Sequence, residues 1–217
     1  MPKIITIDGP AGAGKSSVAK EISKRYGYLH LDSGAVYRAI GVVCSERKVE
    51  LDDENAVVEC ASGLRIELTD EGKVFVDGKD YSKRIRTLEA GTLASKVAKF
   101  KRVREIVVRI LREVARGKRI VIDGRDAGSY IFPEADLKIY LTASPEERAK
   151  RRYLELLKKG EKVSYEKVLE EVLDRDRADR SRKFAPLVIP EGAVVVDTTG
   201  KTFEEVMDVI DKLINDE

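Results

Sequence analysis

Residues 4–17 read Ile4-Ile5-Thr6-Ile7-Asp8-Gly9-Pro10-Ala11-Gly12-Ala13-Gly14-Lys15-Ser16-Ser17, and this stretch decides the fold. Its apolar, β-branched start predicts a buried strand over 4–7. Residues 9–16 then match G-x-x-x-x-G-K-[ST] at every required position. An amphipathic helix is expected over 15–26, ending at Gly27, a residue suited to a left-handed cap. Strand, glycine-rich turn and helix in that order are the context in which this motif cradles phosphate. With few side chains in the way, successive backbone N–H groups can turn inward around an anion. The helix N-terminus adds a favourable dipole. Lys15 can reach the β- and γ-phosphates, and the Ser16 hydroxyl is a natural Mg²⁺ ligand. The expected ligand is a nucleoside triphosphate, on Gly9, Pro10, Ala11, Gly12, Ala13, Gly14, Lys15, Ser16 and Ser17.

Working outward, short apolar runs predict further strands over 28–31, 119–122, 137–141 and 193–196. They are almost continuously apolar, as strands covered on both faces must be. Helical segments alternate with them, which predicts an α/β fold with a five-stranded parallel sheet. A helix over 101–116 stops at Gly117, Ser144-Pro145-Glu146-Glu147 has the form of a capping box, and Thr202 with Glu205 repeats it. Residues 64–82 break the rhythm: polar and apolar residues alternate over 64–68, Thr69-Asp70-Glu71-Gly72 leads to a second run over 73–76, and Asp77-Gly78 offers a tight turn. A small antiparallel insertion is expected there.

The chain has 217 residues, enough for one domain with inserted lobes. Its 41 Lys+Arg against 39 Asp+Glu leave a net charge of +2, which argues against a bulk nucleic-acid binder. No apolar run approaches the ~20 residues of a membrane span, and MPKIITIDGP does not read as a secretory leader. A cytoplasmic protein is expected. Cys44 and Cys60, the two cysteines, are expected to be reduced and buried. His30 is the one histidine, so a Ser-His-Asp hydrolase or a structural zinc site has almost nothing to rest on. Charged residues make up 37% against a typical ~25%, with no Gln and two Asn, a heat-adapted composition that predicts melting above the ~45–65 °C of mesophilic domains.

Three further stretches carry chemistry. Ile120-Val121-Ile122-Asp123 is an apolar strand ending in an acid, the form in which a carboxylate holds Mg²⁺ through water; a plain turn residue looks the same. Asp8 is expected to be a structural partner of the loop. Leu31-Asp32-Ser33-Gly34-Ala35-Val36-Tyr37-Arg38 and Asp123-Gly124-Arg125-Asp126 lie at carboxyl ends of strands, where ligands gather in doubly wound sheets. Finally, residues 174–183 read DRDRADRSRK. On a helix, Arg175, Asp179 and Arg182 share one face within about 60°, while Arg177 and Arg180 point nearly opposite. A solvated, salt-bridged face has that composition too. An arginine-bearing lid is the functional alternative, since the guanidinium fork binds phosphate oxygens in pairs.

In order, IDGPAGAGKSS, LDSGAVYR, IRTLE, VAKFKRVRE, DGRDAG with IFPEAD, and RDRADRSRKFAPL resemble the bacterial cytidylate kinases over essentially the whole chain. The resemblance implies a phosphate-loop nucleoside monophosphate kinase acting on ATP and CMP or dCMP with Mg²⁺. Its parts would be a core of 1–32, 99–156 and 184–217, an α+β acceptor lobe of 33–98 with the insertion 64–82, and a helical lid of 157–183. It implies that Arg38, Arg125 and Arg182 hold the acceptor phosphate, that Ser33, Arg175 and Asp179 contact the sugar, and that Ser95, Arg104 and Asp126 read the base. Lys15, Arg125, Arg177, Arg180 and Arg182 would carry the transfer, and Ser16 and Asp123 the metal. A carboxylate suits the cytosine amine and a guanidinium suits its ring acceptors, whereas uracil would turn a carbonyl toward the carboxylate. Ala127 stands where a larger apolar residue is usual and Ser129 where threonine is common. A monomer is expected. A kinase for another small acceptor such as UMP, and an ATP-hydrolysing switch, are the competing readings.

Overall fold

The computed structural model describes residues 1–69, 72–158 and 160–215. The first half of the chain runs β1 (Ile4–Asp8), α1 (Lys15–Tyr26), β2 (Leu29–Asp32), α2 (Ser33–Glu46), α3 (Glu54–Ser62), β3 (Ile66–Leu68), β4 (Val74–Val76), β5 (Lys79–Asp80), α4 (Leu88–Val97) and α5 (Lys101–Ala115). It continues with β6 (Ile120–Asp123), β7 (Leu137–Thr142), α6 (Pro145–Lys158), α7 (Tyr165–Arg180), β8 (Val194–Asp197) and α8 (Phe203–Asn215). One sheet has the order β2-β6-β1-β7-β8, and a second, antiparallel one has the order β3-β4-β5. The α/β fold with a five-stranded parallel sheet is thus as expected. Each of its strands ends one residue later than the apolar run, on a polar residue: Asp8, Asp32, Asp123, Thr142 and Asp197. A strand-final side chain can meet solvent or ligand while its backbone still pairs, so hydrophobicity alone stops short.

The chain divides into two compact units, Met1–Gly27 with Asp123–Glu217, and Tyr28–Ile122. In the first, β1 pairs in parallel with β7, Ile5 against Leu137 through Asp8 against Tyr140, and β7 pairs in parallel with β8. α1 buries Lys15, Val18, Ala19 and Ile22, one helical stripe whose first member is a lysine. α8 buries Val206, Met207, Ile210 and Ile214 and opens with a complete capping box: the Thr202 N–H donates to Glu205 (2.7 Å) and the Glu205 N–H to the Thr202 hydroxyl (3.2 Å). The box at Ser144 is only half made. Ser144 Oγ accepts from the Glu147 N–H at 3.2 Å, but the Ser144 N–H donates to Thr199 and the Glu147 carboxylate accepts from Arg151. α6 and α7 enclose a small core of their own, Ala149, Leu156, Val168 and Val172, edged by Tyr153 and Tyr165.

In the second unit α5 is the most sharply two-faced helix, burying Val103, Ile106, Val107, Leu111 and, on the same face, Arg104. The antiparallel insertion is present: Ile66 pairs with Val76, and Asp77 (φ 50°) with Gly78 (φ 78°) turns β4 into β5 as the left-handed pair a tight hairpin needs. Asp70 and Glu71 of the expected connection lie outside the described residues. Both cysteines are free thiols; Cys44 is buried as expected, but Cys60 is only half-buried, since α3 is amphipathic at its C-terminal end.

Candidate active site

The phosphate loop is built by close approach. Gly9 has φ 142°, and a Cβ there would lie 1.9 Å from the Leu141 carbonyl oxygen, so no other residue fits between β1 and β7. Gly14 (φ 92°) precedes α1, whose first N–H groups receive no side-chain cap; the Ser17 and Val18 N–H groups fold back on the Gly14 carbonyl. An uncapped helix N-terminus next to a glycine turn is an anion site in waiting. Lys15 is buried, with Nζ donating to the Pro10 carbonyl at 2.7 Å across the loop. Burial, then the nearby Arg125, pushes its pKa well below the usual lysine value. An anion here would repay that cost by compensating the ammonium.

Ser16 Oγ donates to Asp123 Oδ2 at 2.7 Å, which joins the start of α1 to the end of β6. One hydroxyl and one carboxylate side by side are hard oxygen donors of the kind Mg²⁺ takes in small number when phosphate oxygens supply the rest. The donor set therefore fits the ion. Among the described residues no cluster of three or more His, Cys, Asp or Glu offers a fuller cage.

Asp8 does something the sequence reading missed. It is buried, and its two oxygens accept from the Ala127 (2.6 Å) and Gly128 (2.7 Å) N–H groups, capping the wide turn Ala127–Ile131 rather than the loop. Desolvation pushes its carboxyl up to about 6, against the pull of those two N–H groups. Gly128 is required at this contact, since a Cβ would lie 2.6 Å from Thr6 Oγ1. Asp126, buried at the head of that turn, is held in place by it.

In the charged run at the end of α7 the buried side chains are Asp176 and Asp179, not the arginines. Asp179 accepts from Arg125 Nε at 2.9 Å and from Arg182. Burial alone would raise its pKa, but Arg125 and then Arg182 hold it below the ordinary value. α7 ends at Arg180, so Arg182 reaches Asp179 from beyond the helix and not as part of a helical stripe. Arg175, Arg177 and Arg180 are exposed, Arg177 paired with Asp174. The charge run is therefore salt-bridged, as a solvated face would be, and it also leaves arginines exposed.

Asp176 exposes a residue that sequence reading did not single out. Arg148, in the first turn of α6 and 2% exposed, donates Nη1 and Nη2 to the two Asp176 oxygens (3.0 and 2.6 Å), Nη1 also to the Ala11 carbonyl (3.1 Å), and Nε to the Ala143 carbonyl (2.9 Å). An arginine in the polar-looking run PEERAKRR carries no sign of burial. The available signal was Gly12, whose missing Cβ lets α6 approach: one placed there would be 3.1 Å from Arg148 Cβ.

The second unit holds its own candidate residues. Asp32 caps α2 through the Ala35 N–H (3.0 Å), accepts from Arg38 Nη2 (2.6 Å), and lies 3.4 Å from Arg86 Nη1. Ser33 is buried at the start of α2. Arg104, 1% exposed, donates Nη1 to the Ala98 carbonyl (3.0 Å) and stacks over Tyr37 at 5.3 Å, so it is not part of a basic surface face. Ser95 is exposed, and its hydroxyl donates back to the Gly91 carbonyl at 3.1 Å within α4.

A parallel sheet with a glycine cradle on the β1–α1 turn, a buried lysine within it and a hydroxyl–carboxylate pair beside it defines a nucleotide-binding protein of the phosphate-loop class. No helix among the described residues is long and apolar enough to cross a membrane. The sequence profile of the cytidylate kinase family matches residues 5–216. The chain is 50% identical over 204 residues to the cytidylate kinase of Caldanaerobacter subterraneus subsp. tengcongensis, covering 94% of this chain and 91% of that protein. It is 42% identical over 212 residues to that of Clostridioides difficile strain 630, covering 98% of each. The fold is similar to a solved, uncharacterized protein from Eubacterium ventriosum, with a TM-score of 0.54, 13% identity and 99% of each chain covered. The chain belongs to the cytidylate kinase family, a family of phosphotransferases.

Proposed function

We propose that this enzyme catalyses ATP + CMP ⇌ ADP + CDP, and likewise accepts dCMP, by direct in-line phosphoryl transfer. The observation that carries the reading is the family match over residues 5–216, and the geometry of the phosphate loop supports it. ATP lies on residues 9–17, with Lys15 against its outer phosphates. Ser16 and Asp123 hold Mg²⁺, which supplies charge neutralisation on the phosphate oxygens. Arg38, Arg125 and Arg182 bind the acceptor phosphate, Ser33, Arg175 and Asp179 its sugar, and Ser95, Arg104 and Asp126 its base. Arg177 and Arg180 bind the donor phosphates.

No general base is required, because the oxygen of a nucleoside monophosphate is already ionised near pH 7. Catalysis then consists of positioning, charge compensation and exclusion of water. Arg125 is preorganised for this, its Nε spent on Asp179 so that the outer face of its fork stays aimed. Arg175, Arg177 and Arg180 of α7 are exposed, which suits groups that engage only when substrate is bound. The division into core 1–32, 99–156 and 184–217, acceptor lobe 33–98 and lid 157–183 belongs to this reading. So do a cytoplasmic location and a monomeric state.

The test is ADP formation from MgATP with CMP, dCMP, UMP, AMP and shikimate offered separately, in the native chain and in Asp126→Ala. Preferred turnover of CMP and dCMP, with selectivity over UMP lost in the variant, is the expected result. ATP hydrolysis indifferent to acceptor would overturn the reading, and selectivity unchanged in the variant would remove Asp126 from the base site.

A further inference from the structure

We propose that Arg148 is a positioning residue, coupling the phosphate loop to α7 so that the arginines of that helix are set when triphosphate fills the loop; this rests on the kinase reading above. Three elements meet on one guanidinium. Nε is fixed on the Ala143 carbonyl at the β7–α6 junction, Nη1 is shared between the Ala11 carbonyl of the loop and Asp176, and Nη2 completes a bidentate pair with Asp176. Asp176 stands between Arg175 and Arg177 in sequence and one turn before Arg180. Whatever fixes its carboxylate fixes the rotation of the helix that carries all three.

The loop end is as tightly set. Gly12 has φ 79° and is flanked by Arg148 Cβ and the Arg148 carbonyl, so the loop cannot change shape at 11–12 without disturbing Arg148. A lysine could neutralise Asp176 but could not hold three acceptors in one plane. The pair is also an uneconomical way to add stability: a buried ion pair often does no better than apolar side chains of similar volume. Bonding to three separate elements is what a positioning role needs and what simple packing does not.

That difference supplies the test. The double variant Arg148→Met/Asp176→Leu replaces both charges with apolar side chains of similar branching, and Arg148→Lys keeps the charge and removes the fork. Each is measured for melting temperature, for kcat and KM with CMP, and for amide exchange over residues 165–180 with and without ATP. We expect a melting temperature within about 3 °C of the native chain for the double variant. We expect kcat lower by about tenfold or more in both variants, with KM for CMP changed less than about twofold. ATP slows exchange over 165–180 in the native chain, and this slowing is lost in both variants. A variant that folds and turns over within about twofold of the native chain overturns the proposal. If the double variant does not fold, Arg148→Lys decides by the same criterion. If the native chain makes no CDP, it is the kinase reading that fails, and the exchange measurement still decides: ATP protection of 165–180 that survives in the variants overturns the coupling.

Discussion

The phosphate loop and the Arg38 cluster, both assigned to phosphate in the proposed reading, are built by different means. In the loop the backbone does the work: Gly9 and Gly14 take conformations closed to other residues, and an uncapped helix start offers its N–H groups. In the cluster a side chain is aimed by another side chain, Arg38 by Asp32, with Arg86 nearby. The first arrangement costs backbone entropy, which glycine has already lost in the folded free protein. The second depends on an ion pair that can be retuned without altering the backbone.

The comparison can be broken at several points. The largest effect is expected from Lys15→Met, which removes the one charge buried inside the backbone cradle: kcat falls by about 10²–10³, as when a single preorganised donor is lost. Because burial already disfavours that ammonium, the melting temperature does not fall. Activity lost together with stability would show that Lys15 is also a structural pillar. Gly9→Ala should cost about 3 kcal/mol or more in chemical denaturation, since its Cβ would meet the Leu141 carbonyl oxygen at 1.9 Å. A smaller loss would mean that β1 and β7 can part at this point.

Asp32→Asn sharpens the other side. Asparagine caps α2 as well as aspartate does, so the fold is kept while the charge that aims Arg38 is removed. KM for CMP should rise about tenfold with kcat nearly constant, the scale of one charge-assisted hydrogen bond. A loss confined to kcat would place Arg38 in the transfer step instead.

The smallest effect concerns Asp8. Its folded carboxyl titrates at about 6, above the unfolded value of 3.8, so it contributes stability that is full below about pH 4 and is lost as the pH rises through 6. From pH 5 to pH 7 the native chain should lose about 1 kcal/mol relative to Asp8→Asn, read as a difference between the two melting curves. Parallel curves would mean that the Ala127 and Gly128 N–H groups outweigh desolvation.

Legibility followed the same division. The β1–loop–α1 unit was readable because backbone geometry writes itself into glycine positions a few residues apart. The parallel sheet was readable for a similar reason, since strands covered on both faces must be continuously apolar, although the edge strand β8 is apolar with Val194 and Val195 exposed. Asp8 and Arg148 were not readable, because their partners lie far off in sequence: Ala127 and Gly128 for one, Ala11 and Asp176 for the other. Arg104 was ambiguous for a third reason. Within KFKRVRE it looks like a surface charge, and only the helical phase of α5 puts it on the apolar face while its neighbour Arg102 stays exposed.

The α6–α7 hairpin described above has its own miniature interior, with Tyr153 and Tyr165 meeting edge to face at 6.1 Å beside Ala149, Leu156, Val168 and Val172. Leu154, Leu157 and Leu173 of the same two helices lie outside that interior and face solvent. Among the described residues, polar ties from the hairpin to the rest of its unit include Arg148 with the Ala11 carbonyl, Arg151 with Thr198 and Asp179 with Arg125. Partly buried ties of this kind are screened little by added salt, but an anion that competes for the guanidinium can loosen them. In the proposed kinase reading the substrates are themselves polyanions, so they would compete for the guanidinium groups that tie this hairpin down.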